Sequence, residues 1–406
     1  MSGAKCDLVI VGAGPAGMAA AIEAARAGLA VTIVDKGGGP GGQIYRGILD
    51  GDPTLRQSLG ADYAAGQALA EAFIAAPVER LFRSSAVMIE PRPDGFAIAL
   101  SGGGRAELLT ARTLLIATGA LERPFPIAGW TLPGVMTAGA AQTLLKANAL
   151  VPEGPVVLAG TGPLLLLLAA QYARLGLGPE ALLDTTPSGS WRAALPHLPS
   201  FLTGPSFAKG LGLLREAMRA TRIIRGVTAL TAEGKDKLEA VRFTAKGVER
   251  KIVARTLLLH QGVAPQLNLA MASGVAYGWS DERLAFEPRL SDAGESTVPG
   301  LFLAGDCAGI AGAEAARHSG ARVARAIAAR LGRAVTADPS EALHHRALRG
   351  RRFIDALYRP AGVFRRPADD VIVCRCEEAT AGDIRRLARA GAQGPNQAKA
   401  MSRAGM

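Results

Sequence analysis

Three times along the chain an apolar run gives way to a glycine-rich break and then to a long run rich in small or aliphatic residues. The first is Leu8 to Val11, broken at Gly12-Ala13-Gly14-Pro15-Ala16-Gly17 and followed by an Ala-rich helical stretch and a further apolar run, Ala30 to Val34. The second is Pro155 to Ala159, broken at Gly160-Thr161-Gly162-Pro163 and followed by a helical stretch through Leu175. The third is Val298-Pro299-Gly300-Leu301-Phe302-Leu303-Ala304-Gly305-Asp306, followed by Ala311 to Leu331. Short, continuous apolar runs bounded by glycine read as parallel strands buried on both faces, and strands alternating with helices predict a doubly wound α/β architecture.

The first unit carries the chemistry of a dinucleotide site. Gly12 permits the tight strand-to-helix turn. Gly14 lets the backbone approach a pyrophosphate, with Pro15 and Ala16 opening the helix behind it. Gly17 lets helix and strand pack closely. The helix N-terminus directs free N–H groups and a partial positive charge at phosphates. Asp35 ends the second strand 23 positions after Gly12, where its carboxylate accepts from a ribose. Lys36 and Val87 are further cofactor-binding candidates.

The chain also repeats itself. The first unit closes with Ala111-Arg112-Thr113-Leu114-Leu115-Ile116-Ala117-Thr118-Gly119 and the second with Ala254-Arg255-Thr256-Leu257-Leu258-Leu259-His260-Gln261-Gly262. From first to closing glycine the spans are 107 and 102 positions. Two matches in the same order predict two related Rossmann-like domains. The copies differ at the third glycine, where the second has Leu165; a side chain there holds the helix off the strand. Asp184 remains a ribose acceptor. Three readings stay open for this second domain: NAD(P), another nucleotide such as ATP, or the fold alone.

The bulk composition narrows the class. In 406 residues, 49% are hydrophobic and 20% charged, as in an ordinary globular protein long enough for two or three domains. The net charge is +11, yet aromatics are 5% and no nucleic-acid motif occurs, so a nucleic-acid partner is not expected. No apolar run approaches the length of a membrane span, and the acidic residues and glycine spacing of the N-terminus do not fit a signal peptide. The four cysteines, at 6, 307, 374 and 376, give no secreted disulfide framework, so a reducing, cytoplasmic setting is expected. Cys6, placed before the first strand, and Cys307 read as structural thiols. The five histidines have no metal spacing, and His260 and His318 read as satisfied structural residues near the nucleotide or flavin. No catalytic acid or base stands out.

After Leu331 the composition turns basic, with seven arginines between 346 and 366. The segment reads as a linker or as a docking surface for an acidic partner. Val371-Ile372-Val373-Cys374-Arg375-Cys376-Glu377-Glu378-Ala379-Thr380 follows, then a short helix from Gly382 and the stretch Gly394 to Met406.

The order of these parts resembles flavoproteins with two dinucleotide-binding domains, of glutathione-reductase type. There the Asp of the Gly305-Asp306 pair holds the flavin ribityl chain, the helix after it aims its N-terminus at the flavin pyrimidine, and Pro40-Gly41-Gly42-Gln43 matches a loop lying along the flavin. The Gly-Gly-Gln-Ile-Tyr-Arg run (41–46), Gly-Thr-Gly-Pro-Leu-Leu-Leu (160–166) and the Cys-Arg-Cys-Glu-Glu tail resemble one group more closely. It comprises the A (alpha) subunits of opine oxidases, of heteromeric (hydroxy)proline dehydrogenases and of hydrogen cyanide synthase. The resemblance implies an FAD-dependent electron-transfer subunit, paired with a second FAD subunit that oxidises a C–N bond of an amine or amino acid. The implied FAD-binding set is Gly12, Gly14, Pro15, Ala16, Gly17, Asp35, Lys36, Gly42, Gln43, Val87, Thr118, Gly119, Gly305 and Asp306, with Gly160 and Gly162 for a second nucleotide.

The tail resembles the [2Fe–2S] domain of bacterioferritin-associated ferredoxin, which implies Cys374 and Cys376 as two ligands. The two further cysteines of that family are missing up to residue 406, so a stable cluster in this chain alone is not expected. The expected domains are 1–122 with 285–335 for FAD, 123–284 for the second nucleotide, 336–370 as linker and 371–406 as a partial [2Fe–2S] domain. A stand-alone NAD(P)H-dependent flavoprotein reductase and a non-catalytic nucleotide-binding scaffold are the competing functions. Reductases acting on disulfides need two nearby cysteines against the flavin, and none occur in the first 300 residues.

Overall fold

In the computed structural model, residues 5–50, 52–335 and 340–405 are described; residues 1–4, Gly51, 336–339 and Met406, which fall in the expected first domain, linker and tail, lie outside them. Two parallel sheets form the frame. In the first, strands Glu79–Phe82, Val31–Asp35, Lys5–Val11 and Arg105–Ile116 lie side by side. Leu301–Leu303 joins the far end of Arg105–Ile116 in parallel, with Leu301 opposite Leu114. Leu8, Val9 and Ile10 are fully buried, as a strand covered on both faces requires. The same Arg105–Ile116 strand runs antiparallel to Gly95–Gly102 through its first half, which pairs in turn with Ser85–Arg92. The segments before residue 122 and after 285 thus build one sheet. Cys6 lies within the Lys5–Val11 strand, not ahead of it.

The second sheet orders Arg222–Arg225, Ala181–Asp184, Val156–Thr161, Thr256–Gln261 and Val135–Thr137, all parallel. A three-stranded antiparallel sheet, Val227–Glu233, Ala240–Ala245 and Val248–Val253, extends this half. A short ribbon joins the two halves, Ala120–Glu122 against Val263–Pro265.

Helix Pro15–Arg26 follows the first turn, with Pro15 in the first turn where its missing N–H costs nothing. Helix Ala313–Arg330 crosses it closely. A Cβ on Gly320 would lie 2.0 Å from the Ala16 carbonyl oxygen, so only glycine fits the crossing.

Between 340 and 365 the expected linker is instead folded. Helix Ser340–Leu348 packs on helix Ala313–Arg330 of the first half, while Arg351–Leu357 and Gly362–Arg365 pack on the second. Phe353 is buried and stacks on Phe201, ring centroids 4.3 Å apart, while Phe364 meets Phe125 edge-on at 5.3 Å. The arginine count had hidden an apolar face spaced between the charges. Beyond it, Trp130 Nε1 donates to the Ile372 carbonyl at 2.6 Å, and the Arg375 guanidinium lies over the Trp130 ring at 4.6 Å. No helix among the described residues is long and apolar enough to cross a membrane.

Candidate functional site

Both glycine turns open into one cleft of about 1400 Å³ between the halves. Gly12, Gly14, Pro15, Ala16, Asp35, Lys36, Gly42, Gln43, Val87, Thr118, Gly119, Gly162 and Asp306 all line it. Gly17, Gly160 and Gly305 do not line it; they shape the backbone beneath. A Cβ on Gly17 would sit 1.8 Å from the Gly12 carbonyl oxygen, one on Gly160 1.7 Å from that of His260, and one on Gly305 2.7 Å from the Ala16 Cβ. Cys374 and Cys376 are absent from the cleft lining.

The first turn is organised by Asp35. Its Oδ2 accepts from the Ala13 N–H and its Oδ1 from the Gly37 N–H, both at 2.6 Å. An ionised carboxylate offers about four acceptor sites, so capacity remains for a ribose. A Cβ on Gly14 would touch no protein atom within 4 Å: the space over this turn is kept open toward the cleft. Gly42 closes over the same turn, its Cβ position 3.0 Å from Gly14 Cα. Farther along, Asp306 Oδ1 accepts from Ala311 and Gly312 N–H at 3.0 and 3.1 Å, fixing the loop that starts helix Ala313–Arg330. Thr118 Oγ1 donates to the Gln266 carbonyl at 3.0 Å, tying the closing turn across the ribbon. These features fit FAD: open space at a phosphate-type turn, a carboxylate at the strand end, and a second acidic loop under a helix N-terminus.

The second turn differs. Leu165 is buried, and its Cβ forbids the approach that Gly17 makes to Gly12. His260 Nδ1 is 2.5 Å from Glu122 Oε1, and its ring edge faces Gly162. Glu122 Oε2 also accepts from Gly139 N at 2.9 Å. His260 is therefore satisfied, as its sequence context suggested, while also lining the cleft. Asp184 accepts from Thr186 N at 2.9 Å. Tyr358, from the folded segment after 340, lines the cleft and feels the Asp184 charge; burial above all, with that charge, pushes its phenol pKa up.

The thiols separate into two kinds. Cys307 is fully buried, donates to the Ile116 and Ala304 carbonyls, and is pushed up in pKa by burial; Cys6 is raised likewise. Neither is an activated nucleophile. Cys374 is held below the usual thiol range by backbone N–H groups, first that of Gly405 and then that of Glu377. Cys374 and Cys376 offer two thiolates, and among the described residues no group of three or more His, Cys, Asp or Glu converges to hold a metal.

Sequence reasoning missed Glu122, Lys146, Gln142 and Tyr358. Gln142 and Lys146 left one faint signal: they fall on the buried face of helix Ala138–Asn148 beside Ala138, Ala141 and Leu145.

Two parallel sheets, one shared cleft and a first turn shaped for a dinucleotide define a two-domain flavoprotein. Residues 6–321 match the model for the pyridine nucleotide-disulphide oxidoreductase family, and the chain belongs to it. Within that family it is 45% identical over 98% of its length to the A (alpha) chain of opine oxidase from Agrobacterium tumefaciens (strain Ach5), covering 82% of that protein. It is 31% identical, again over 98%, to hydrogen cyanide synthase subunit HcnB of Pseudomonas protegens, covering 88% of it. Among solved structures, L-proline dehydrogenase from P. horikoshii shares the fold with a TM-score of 0.67 at 18% identity, over 98% of this chain and 70% of that one. Thioredoxin reductase from T. acidophilum aligns over 80% of this chain and 99% of its own, with a TM-score of 0.59 at 19% identity.

Proposed function

We propose that this chain is the FAD-binding, electron-relaying subunit of a heteromeric enzyme that oxidises a C–N bond in an opine or amino acid. The observation that carries this reading is a dinucleotide cleft with no redox thiol pair beside it, in a chain whose relatives are component chains of opine oxidase and hydrogen cyanide synthase. FAD supplies the two-electron carrier. Gly12 and Gly14 admit its pyrophosphate to the N-terminus of helix Pro15–Arg26, and Gly17 seats that helix against the strand. Asp35 accepts from the ribose, with Lys36 and Val87 along the adenosine end. Gly42 and Gln43 cover the flavin side, with Thr118 and Gly119 at the closing turn. Gly305 and Asp306 hold the ribityl chain and direct helix Ala313–Arg330 toward the flavin.

The partner is a second FAD-containing subunit, where the amine is oxidised. Gly160 and Gly162 form a second nucleotide loop, for NAD(P) or ATP. Leu165 in place of a third glycine weighs against nicotinamide chemistry there. Cys374 and Cys376 supply two thiolates, and no electron step is assigned to a [2Fe–2S] cluster. Four free cysteines fit work in the cytoplasm.

The test is anaerobic reduction of the flavin in the purified chain. NADH or NADPH is expected to leave the oxidised-flavin absorbance unchanged. An opine or amino acid is expected to bleach it only with the partner subunit present. Rapid bleaching by a nicotinamide alone would replace this reading with a stand-alone reductase.

A further inference from the structure

Lys146 is a buried amine with no anionic partner among the described residues. It lines the cleft, is 3% exposed, and forms no ion pair among the described residues. Its Nζ donates to the Gln43 carbonyl at 3.3 Å and to Gln142 Oε1 at 2.9 Å, and stands 5.9 Å from the centre of the Tyr63 ring. The amide orientations behind it are forced. The Leu59 carbonyl can only accept, so Gln171 turns its NH₂ there at 2.9 Å and its oxygen to the Gln142 NH₂ at 3.0 Å. Gln142 must then present oxygen to Lys146.

Two protein acceptors satisfy the two N–H donors of a neutral amine. An ammonium has three, and no acceptor among the described residues takes the third. Burial, and then the charge of Arg46, lowers the Lys146 pKa to about 7. Charged groups facing it come from the 41–48 loop alone, as Arg46; Tyr63 presents a ring and helix Pro163–Arg174 the Gln171 amide. Above pH 7 the empty site thus favours the neutral amine, and the ammonium has no third acceptor among the described residues.

We propose that Lys146 takes up a proton when the flavin bound beside Gln43 is reduced, and that its ammonium is the counter-charge of the reduced flavin. This rests on the FAD reading above. Two electrons arrive from the amine substrate by way of the partner subunit. One proton accompanies them onto the isoalloxazine, leaving one negative charge, and a second proton passes from water to Lys146 Nζ. The third N–H then has its acceptor in the cofactor, and the buried charge has its partner.

The experiment is a redox titration of the flavin-loaded chain between pH 6 and 9, for the wild type, Lys146→Met and Lys146→Arg. Each proton coupled to a two-electron reduction shifts the equilibrium tenfold per pH unit, about 30 mV. The wild type is expected to follow a two-proton slope above pH 7. Lys146→Met is expected to follow a one-proton slope and to bind sulfite at the flavin at least tenfold more weakly. Lys146→Arg, permanently charged, is expected to keep sulfite affinity while losing the second proton. Lys146→Met strands the Gln142 Oε1 acceptor but also removes the cost of a buried ammonium, and it leaves the first glycine turn untouched, so the Met variant is expected to retain flavin. Flavin-replete Lys146→Met with wild-type slope and sulfite affinity would overturn the proposal. A wild type that binds no flavin would instead overturn the FAD reading beneath it.

Discussion

The two glycine turns began with the same local pattern and have diverged in what they hold. At the first, the Gly17 position lies so near the Gly12 carbonyl that a Cβ would be 1.8 Å away, and the space above Gly14 is empty. At the second, Leu165 fills the equivalent place with a buried side chain, and the Glu122–His260 pair stands at its edge. One carboxylate, Asp35, bonds two backbone N–H groups of its turn and still lines the cleft; the other, Asp184, accepts from Thr186 N–H and is absent from the cleft lining. A repeated unit therefore need not repeat a function. Leu165 changes the packing beneath the second turn, while the space above Gly14 at the first stays open toward the cleft.

The largest test of this contrast is Gly14→Val against Gly162→Val. Gly14 has ordinary negative φ and open space at Cβ, so the fold is expected to stand while bound flavin falls at least tenfold, read from the flavin-to-protein absorbance ratio. Gly162→Val is strained by a φ of 119° and is expected to leave flavin content largely intact. Equal loss in both would erase the distinction between the turns. Next in size, Leu165→Ala opens a cavity and is expected to cost about 2–5 kcal/mol in denaturant unfolding without lowering flavin affinity. Asp35→Ala strands two turn N–H groups and is expected to cost about 1–3 kcal/mol and to weaken flavin retention as well. A stability loss with full flavin retention would make Asp35 purely structural.

The last test is a pH dependence, read as a slope. Lys146 has a pKa of about 7 in the fold against 10.5 for a free lysine. Between these values the unfolded chain holds a proton that the folded chain has released, so this residue makes stability rise with pH across that window. Lys146→Met is expected to abolish that rise, its advantage over wild type being largest below pH 7 and fading toward pH 10. A gap independent of pH would show that Lys146 is not released of its proton by burial.

Much of the frame was legible in the residues. The strands at 8, 31 and 156, the helices after them, and the closing Gly-Asp all follow from runs of apolar residues and from glycines at fixed offsets, because those signals are local. The folded segment after residue 340 was not legible. Its arginines dominate any composition count, while Phe353 and Phe364 find their partners Phe201 and Phe125 far away in sequence. Glu122 and His260, 138 residues apart, belong to no motif and meet only because the short ribbon draws the two halves together.

By itself the sequence determined the two dinucleotide turns, their order and the departure at Leu165, since backbone geometry at a tight turn tolerates few residue types. Tertiary structure alone decided that both turns share one cleft, that Tyr358 lines it, and that Lys146 is buried without an anionic partner among the described residues. These depend on which surfaces meet across the domain boundary, and burial, not residue type, sets the cost of a charge.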